Sequence, residues 1–401
     1  MTEFQISADS AEHLLKMISL TDKLEKEADG TLLYFAANEL TVCLHGVNSN
    51  VSYKVPISNV AIDPEYVNQA YACINVPKFK AALTKCTTST SPITIRVNHE
   101  KKSLTISSAS TSIAVNCYDT ITESESNSIY NYWTEKMADT TFVSSLAIEI
   151  TPEILEVADL ATKVITGDDN NNIIVLKDNQ IIYVDRVALF YKVLSNVTNT
   201  GTYYLPKSII DFIKPLIKET KSSITIHYSL DNRHIYFELP VYSLQVIIDV
   251  ADLACDLPSN EDYANIVPED DNHILLKVSK AVLKDALSKF DGIFDVSDYR
   301  WKQMSWTISE DSLNKGVIQL HHDDFSAEVD TTLDVTVIAN TASSSDFSFI
   351  IPGVILDNLV SLTDENDLTL NISPVPSNEW HGRGIEISTP TFKAVCTRFV
   401  D

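Results

Sequence analysis

The 401 residues leave room for three domains of about 100–150 residues, and an apolar share of 44% excludes global disorder. No stretch approaches the ~18 uninterrupted apolar residues of a membrane span, and the start Met1-Thr2-Glu3-Phe4 is too polar and acidic for a secretion signal, so a soluble cytoplasmic protein with no membrane partner is expected. A net charge of −25, taken as a mean, argues against nucleic acid.

The predicted elements repeat six times: a short strand, an amphipathic helix, then three strands separated by turns. In the first repeat Ser10 is expected to cap the helix AEHLLKMISL, and LLYFAA, LTVCLHG and NVSYKV read as strands. The second runs from Ile74-Asn75-Val76-Pro77 into KFKAALTKC, then ITIRV, SLTISS and TSIAVNCY. In the third, Ile148 to Pro152 leads into EILEVADLATKV, where Ile154, Leu155, Ala158, Ala161 and Ile165 form one apolar stripe. Its strands NIIVL, QIIYV and ALFYKVL include a turn at Asp178-Asn179.

The fourth repeat passes from Tyr203-Tyr204-Leu205-Pro206 into KSIIDFIKPLIK, with Ile210, Ile213 and Ile217 on one face and a kink or early end expected at Pro215. ITIHYSL, HIYFELP and YSLQVII follow, with a turn at 231–232. The fifth has Ser279 as cap before KAVLKDALSKF and an insertion around Gly292 to Trp301. On its helix, Lys280 and Lys284 should share a face opposite Val282 and Phe290. The sixth runs from Phe349-Ile350-Ile351-Pro352 into GVILDNLVSL, then LTLNIS, GIEIST and FKAVCTRF. Four helices thus open on a proline, whose fixed φ suits the first helical turn.

Polar, acidic connectors near 120–143 and 250–272 break the rhythm. They divide the chain into domains 1–125, 126–255 and 256–401, each of two β-α-β-β-β repeats. The fold class is α+β, a helix pair against two antiparallel sheets in each domain.

Charge is sorted by element. The helix windows 9–28, 77–87, 152–165, 206–221, 277–290 and 352–364 hold 15 of the 30 basic side chains but only 13 of the 55 acidic ones. The candidate phosphate-facing residues are Lys16, Lys23, Lys26, Lys78, Lys80, Lys85, Lys163, Lys207, Lys214, Lys218, Lys280, Lys284 and Lys289. A lone lysine on a helix is most often a solvated residue; five of six equivalent helices sharing the bias is harder to dismiss. Such a lining would bind duplex DNA without sequence readout and with strong salt dependence. Twelve helices side by side, each about 10 Å wide, would enclose a hole of ~28 Å. Six would leave ~9 Å, too little for a duplex, so a homodimeric ring with head-to-tail contacts is expected.

With the repeat and the charge pattern in hand, the chain resembles the bacterial-type β sliding clamp. Asp262-Tyr263-Ala264-Asn265-Ile266-Val267-Pro268 looks like that family's connector into its third domain, and Leu333-Asp334-Val335-Thr336 like its strand before the final repeat. Tyr183 to Leu189 is similar to the middle-domain strand beside the family's peptide pocket. The C-terminal VCTRFVD departs from the usual Met-Pro ending, as would suit a divergent or phage-encoded member. The resemblance implies helices lining a ring with sheets outside, and a processivity factor tethering the replicative DNA polymerase. It implies a clamp loader ATPase and other DNA-processing partners. It also implies a partner-peptide pocket of Arg186, Val187, Leu189, Pro268, Ile274, Val395, Cys396 and Thr397, for each of which ordinary core packing is the competing reading.

No catalytic motif is found: there is no phosphate-binding glycine loop, no G-x-S-x-G and no H-E-x-x-H. Cys43, Cys73, Cys86, Cys117, Cys255 and Cys396 are scattered without a CxxC pair and read as small buried hydrophobes. His321-His322-Asp323-Asp324 is the nearest approach to a metal cluster, but neighbours on a strand point to opposite faces. No enzyme activity, cofactor or metal is expected. The rival readings are a β-repeat structural or interaction protein without a DNA role, and a hydrolase using acidic loops such as Asp168-Asp169 and Asp270-Asp271.

Overall fold

The structure is a computed structural model, and it describes residues 2–24, 30–36, 39–45, 49–62, 70–72, 76–87, 91–98, 100–116, 135, 147–164, 173–184, 188–194, 201–229, 234–239, 244–249, 257, 266–268, 273–291, 293, 303–310, 315–323, 327–341, 347–373 and 382–398. The first repeat is β1 (Thr2–Ile6), α1 (Ala8–Thr21), β2 (Gly30–Ala36), β3 (Glu39–His45) and β4 (Ser49–Pro56). The second is β5 (Ser58–Ala61), β6 (Ala70–Ala72), α2 (Val76–Cys86), β7 (Ile93–Asn98), β8 (Ser103–Ser107) and β9 (Ser112–Asn116). The third is β10 (Ala147–Ile150), α3 (Pro152–Val164), β11 (Ile173–Lys177), β12 (Gln180–Val184) and β13 (Ala188–Val193).

The fourth is β14 (Thr202–Pro206), α4 (Lys207–Thr220), β15 (Ile224–Tyr228), β16 (His234–Leu239) and β17 (Leu244–Asp249). The fifth is β18 (Ile274–Ser279), α5 (Lys280–Ser288), β19 (Gln303–Glu310), β20 (Lys315–Asp323) and β21 (Glu328–Asn340). The sixth is β22 (Phe347–Pro352), α6 (Gly353–Ser361), β23 (Asp367–Ile372), β24 (Gly382–Thr389) and β25 (Phe392–Arg398). The fold class is α+β, as the periodicity predicts.

Contacts gather the chain into two compact bodies: Met1–Pro152 with Ser208–Leu253, and Glu153–Lys207 with Ala254–Asp401. The first holds a sheet of order β5-β1-β7-β8-β9 and another of order β10-β15-β16-β17-β4-β3-β2-β6. The second holds one long sheet, β14-β11-β12-β13-β25-β24-β23-β18-β21-β20-β19-β22. All the recorded strand pairings are antiparallel, so one face of each strand can carry the core and the other can stay polar.

α1 and α2 pack together in the first body, as α5 and α6 do in the second. Each helix buries the stripe its spacing marks out. α4 buries Ile209, Ile210, Phe212, Ile213, Leu216 and Ile217, and α5 buries Leu283, Ala286 and Leu287. Cys43, Cys86 and Cys396 are buried free thiols, and desolvation raises the Cys43 pKa to about 12. They are inert packing groups, as expected from their apolar neighbours.

Three local expectations are corrected. The cap of α1 is Ser7, whose Oγ accepts from the Ser10 N–H at 3.0 Å; Ser10 lies inside the first turn. Either serine suits the role, and the one with extended backbone takes it. Of the two outcomes expected at Pro215, the early end does not occur: α4 continues to Thr220 because the buried stripe on both sides outweighs one missing hydrogen bond. Val282 is 44% exposed and does not join the core of α5. Asp178 adopts φ 53°, as the two-residue hairpin between β11 and β12 requires. Ile165, the turn at 231–232, nearly all of the insertion after Gly292 and most of both connectors lie outside the described residues.

Gly384 marks a close approach at the β24–β25 irregularity. A Cβ there would lie 2.6 Å from the Cys396 carbonyl oxygen and also collide with the Val395 side chain. Backbone cannot yield to it as a side-chain tip can. Gly384→Ala is expected to lower stability by about 1–3 kcal/mol, read from the denaturant midpoint.

Candidate functional site

The lysines assigned to the DNA-facing role fall into two groups. The outward stripe of α4 carries Lys207, Lys214 and Lys218 with Asp211 among them, opposite the buried isoleucines. Lys78 and Lys85 lie on the exposed side of α2, beside a groove of about 320 Å³ against the edge strand β9. Lys23 is exposed in the turn after α1. Lys23, Lys78, Lys85 and Lys218 are exposed, and Lys207 and Lys214 are half-buried.

Five further lysines meet defined partners within the chain. Lys16 pairs with Glu219 of α4, Lys80 with Asp22 at 2.9 Å, and Lys289 with Asp285 at 3.0 Å. Lys284 donates to Ser361 Oγ at 2.8 Å and lies 3.8 Å from Asp357. Lys280 donates to the Thr363 carbonyl, and burial followed by the Lys284 charge lowers its pKa. Both reach the C-terminal end of α6, where unpaired carbonyls and the helix dipole favour cations. Helix α6, which has no lysine of its own, is thus met by those of α5. His13, on α1, is held below its usual pKa by burial and then by Lys16, so it adds little positive charge at neutral pH. Lys163 sits on α3, and Lys26 lies outside the described residues.

The expected peptide pocket centres on the β13–β25 pairing. Leu189 stands directly opposite Val395, and the cross-strand row extends through Glu386 and Asn371 to Leu275. Leu189 and Val395 are both buried. Asn371 Nδ2 donates to Glu386 at 3.1 Å, while the buried Asn371 Oδ1 has no hydrogen-bond partner among the described residues. The row thus joins two buried apolar side chains to a buried acceptor. Cys396 and Ile274 are buried with the opposite strand parity, among core residues. Pro268 is buried, and Thr397 lies on β25. Arg186 and Val187 lie outside the described residues.

Sequence reasoning missed Lys192. This lysine of β13 is almost fully buried and donates to the Leu362 carbonyl at 2.7 Å and to Asp364 at 2.6 Å. The clue was available: it is the one charged residue in ALFYKVL, at a position whose parity matches buried Phe190.

No protein-family model and no curated protein sequence matches the chain. Solved structures do. The DNA polymerase III beta subunit of Thermotoga maritima aligns over 100% of both chains at 13% identity, with a TM-score of 0.66. That of Borrelia burgdorferi, solved with a natural product, aligns over 100% of both chains at 14% identity and 0.69. That of Pseudomonas aeruginosa aligns over 99% of both at 13% identity and 0.69. At such identity a likeness spanning both chains speaks for architecture, and it agrees with the six repeats and their order. The chain has the fold of the bacterial DNA polymerase III beta subunits, the sliding clamps.

Proposed function

We propose that two copies of this chain close into a ring around duplex DNA and tether a replicative polymerase, without catalysing a reaction. The observation that carries this reading is the pattern of sheet joints. The last strand of the first repeat, β4, pairs with the last strand of the fourth, β17. The last strand of the third, β13, pairs with that of the sixth, β25. The rule is a joint between repeats three apart. Only the second and fifth repeats then lack their joint. Among the described residues β9 pairs with β8 alone, and residues 328–335 of β21 pair with β20 alone. A second copy would supply what each edge lacks, head to tail, and a third joint of the same kind would close a cycle.

In this reading the domains are 1–125, 126–255 and 256–401. The middle one lends β10 and β15–β17 to one sheet and β11–β14 to another. The exposed lysines would hold phosphates without reading bases, and the acidic remainder would keep DNA off the other surfaces. A pocket beside the β13–β25 joint, as the resemblance implies, would take short peptides of the polymerase and of a clamp loader ATPase in the cytoplasm. An image of the purified particle tests the closed form: a six-lobed annulus of two chains is expected, and an open, elongated particle would overturn it.

The lysine assignment has its own test. Charge reversal at Lys80 or Lys284 would break the contacts with Asp22 or Ser361 and confuse binding with folding. Lys23 and Lys218, both exposed, are better targets. Changing both to glutamate removes four lysines from a two-chain ring and should reduce the slope of log affinity against log salt by up to about 3–4. The melting temperature should stay within a few degrees; an unchanged slope would place the DNA contacts elsewhere.

A further inference from the structure

We infer that the β20–β21 hairpin holds a site for a divalent first-row transition cation, formed by His321, Glu328 and Asp330. One ligand atom from each of the three lies within 4.8 Å of the others. The strand register explains why. His321 stands opposite Asp330, and Glu328 is two residues before Asp330 and so on the same face. The intervening residues have the other parity, so His322 cannot join the set. The adjacent histidines therefore do not share an ion, as their spacing suggests; the partner strand supplies the missing ligands instead.

That face points away from the core. On β20 the buried residues are Ile318 and Leu320, and on β21 they are Leu333, Val335 and Val337. Lys315, Val317 and Gln319, of the same parity as His321, are exposed. The ligands can thus adjust by rotamer changes without disturbing packing. Without an ion, His321 Nδ1 and Asp330 Oδ1 are 2.9 Å apart, and an ion would replace this direct contact with two bonds of about 2.0–2.2 Å.

The donor set selects the class of ion. An imidazole nitrogen with two carboxylates suits Zn²⁺ or its neighbours in the first row, whereas Mg²⁺ prefers oxygen alone. Three protein ligands leave at least one position for water. The ion would clip β20 to β21 next to the turn that joins them.

The test uses the full chain, stripped with a chelator and titrated calorimetrically with Zn²⁺ in excess Mg²⁺. One ion per chain is expected. His321→Ala and Asp330→Asn should each weaken binding by about 10-fold or more. Asp334→Asn, a change on the same face of β21, should leave it unaltered. Zn²⁺ should raise the melting temperature of the native chain and not that of His321→Ala. Absence of saturable binding would overturn the assignment, as would undiminished binding by His321→Ala or equal affinity for Mg²⁺. None of these readouts depends on whether the chain forms a ring.

Discussion

Aspartate at Ser112 and Ala114 of β9 is expected to turn the proposed two-chain ring into single chains of 44.6 kDa. Both positions are exposed, so the substitutions cost the isolated fold little. In both observed joints the paired strands keep their faces aligned: Val51 meets Val246 and Leu189 meets Val395, all four buried. The same rule applied to β9 and β21 sets Ser112 and Ala114 on the face that carries Glu328, Asp330 and Asp334. New carboxylates there would confront existing ones, and like charges brought together at an interface cost several kcal/mol. A loss of dimer affinity of at least about 100-fold follows. Lysines at the same two positions should tighten the dimer. Sedimentation across a dilution series measures both, and equal behaviour of the aspartate and lysine variants would refute the β9–β21 joint.

The second large effect is expected at Lys192. Its ammonium group is buried and meets the Leu362 carbonyl, just past the end of α6, while the Asp364 side chain is 94% exposed. Lys192→Met keeps most of the stem but leaves that carbonyl without its donor in a site closed to water. Hydrogen bonds from a charged group contribute about 1.5–3 kcal/mol each, so a loss of roughly 2–4 kcal/mol is expected. Asp364→Ala should cost less than about 1 kcal/mol, because an exposed carboxylate is screened and water can replace it. The asymmetry is the point of the measurement. Equal costs in chemical denaturation would show that the ion pair matters and the carbonyl contact does not.

Much of this architecture was legible before any coordinates. The run Ile93 to Tyr118 marks out three strands by alternation and turn residues, and β7, β8 and β9 fall inside it. Proline at strand ends located Pro152 and Pro352 at helix starts within a residue. What stayed hidden depends on partners distant in sequence. Nothing local to Lys284 or Lys280 foretells that the end of α6 will accept their hydrogen bonds, and so charge alone overstated their freedom. Likewise, alternation in β20 separates His321 from His322, but only the register with β21 brings Asp330 opposite. Resemblance put Leu189 and Val395 in one pocket, but only the β13–β25 register shows that they stand opposite each other.

The unfinished edges also govern how the chain must behave when dilute. An unpaired strand edge is a template for any passing backbone, and a lone copy would offer such edges at β9 and along residues 328–335 of β21. The two are unlike each other, so whether encounters end in a finite object or an endless fibre depends on a single rotation angle. The alternating carboxylates of β21 and the brevity of β9, only 5 residues, are the means by which such a molecule can wait for its own kind without clumping.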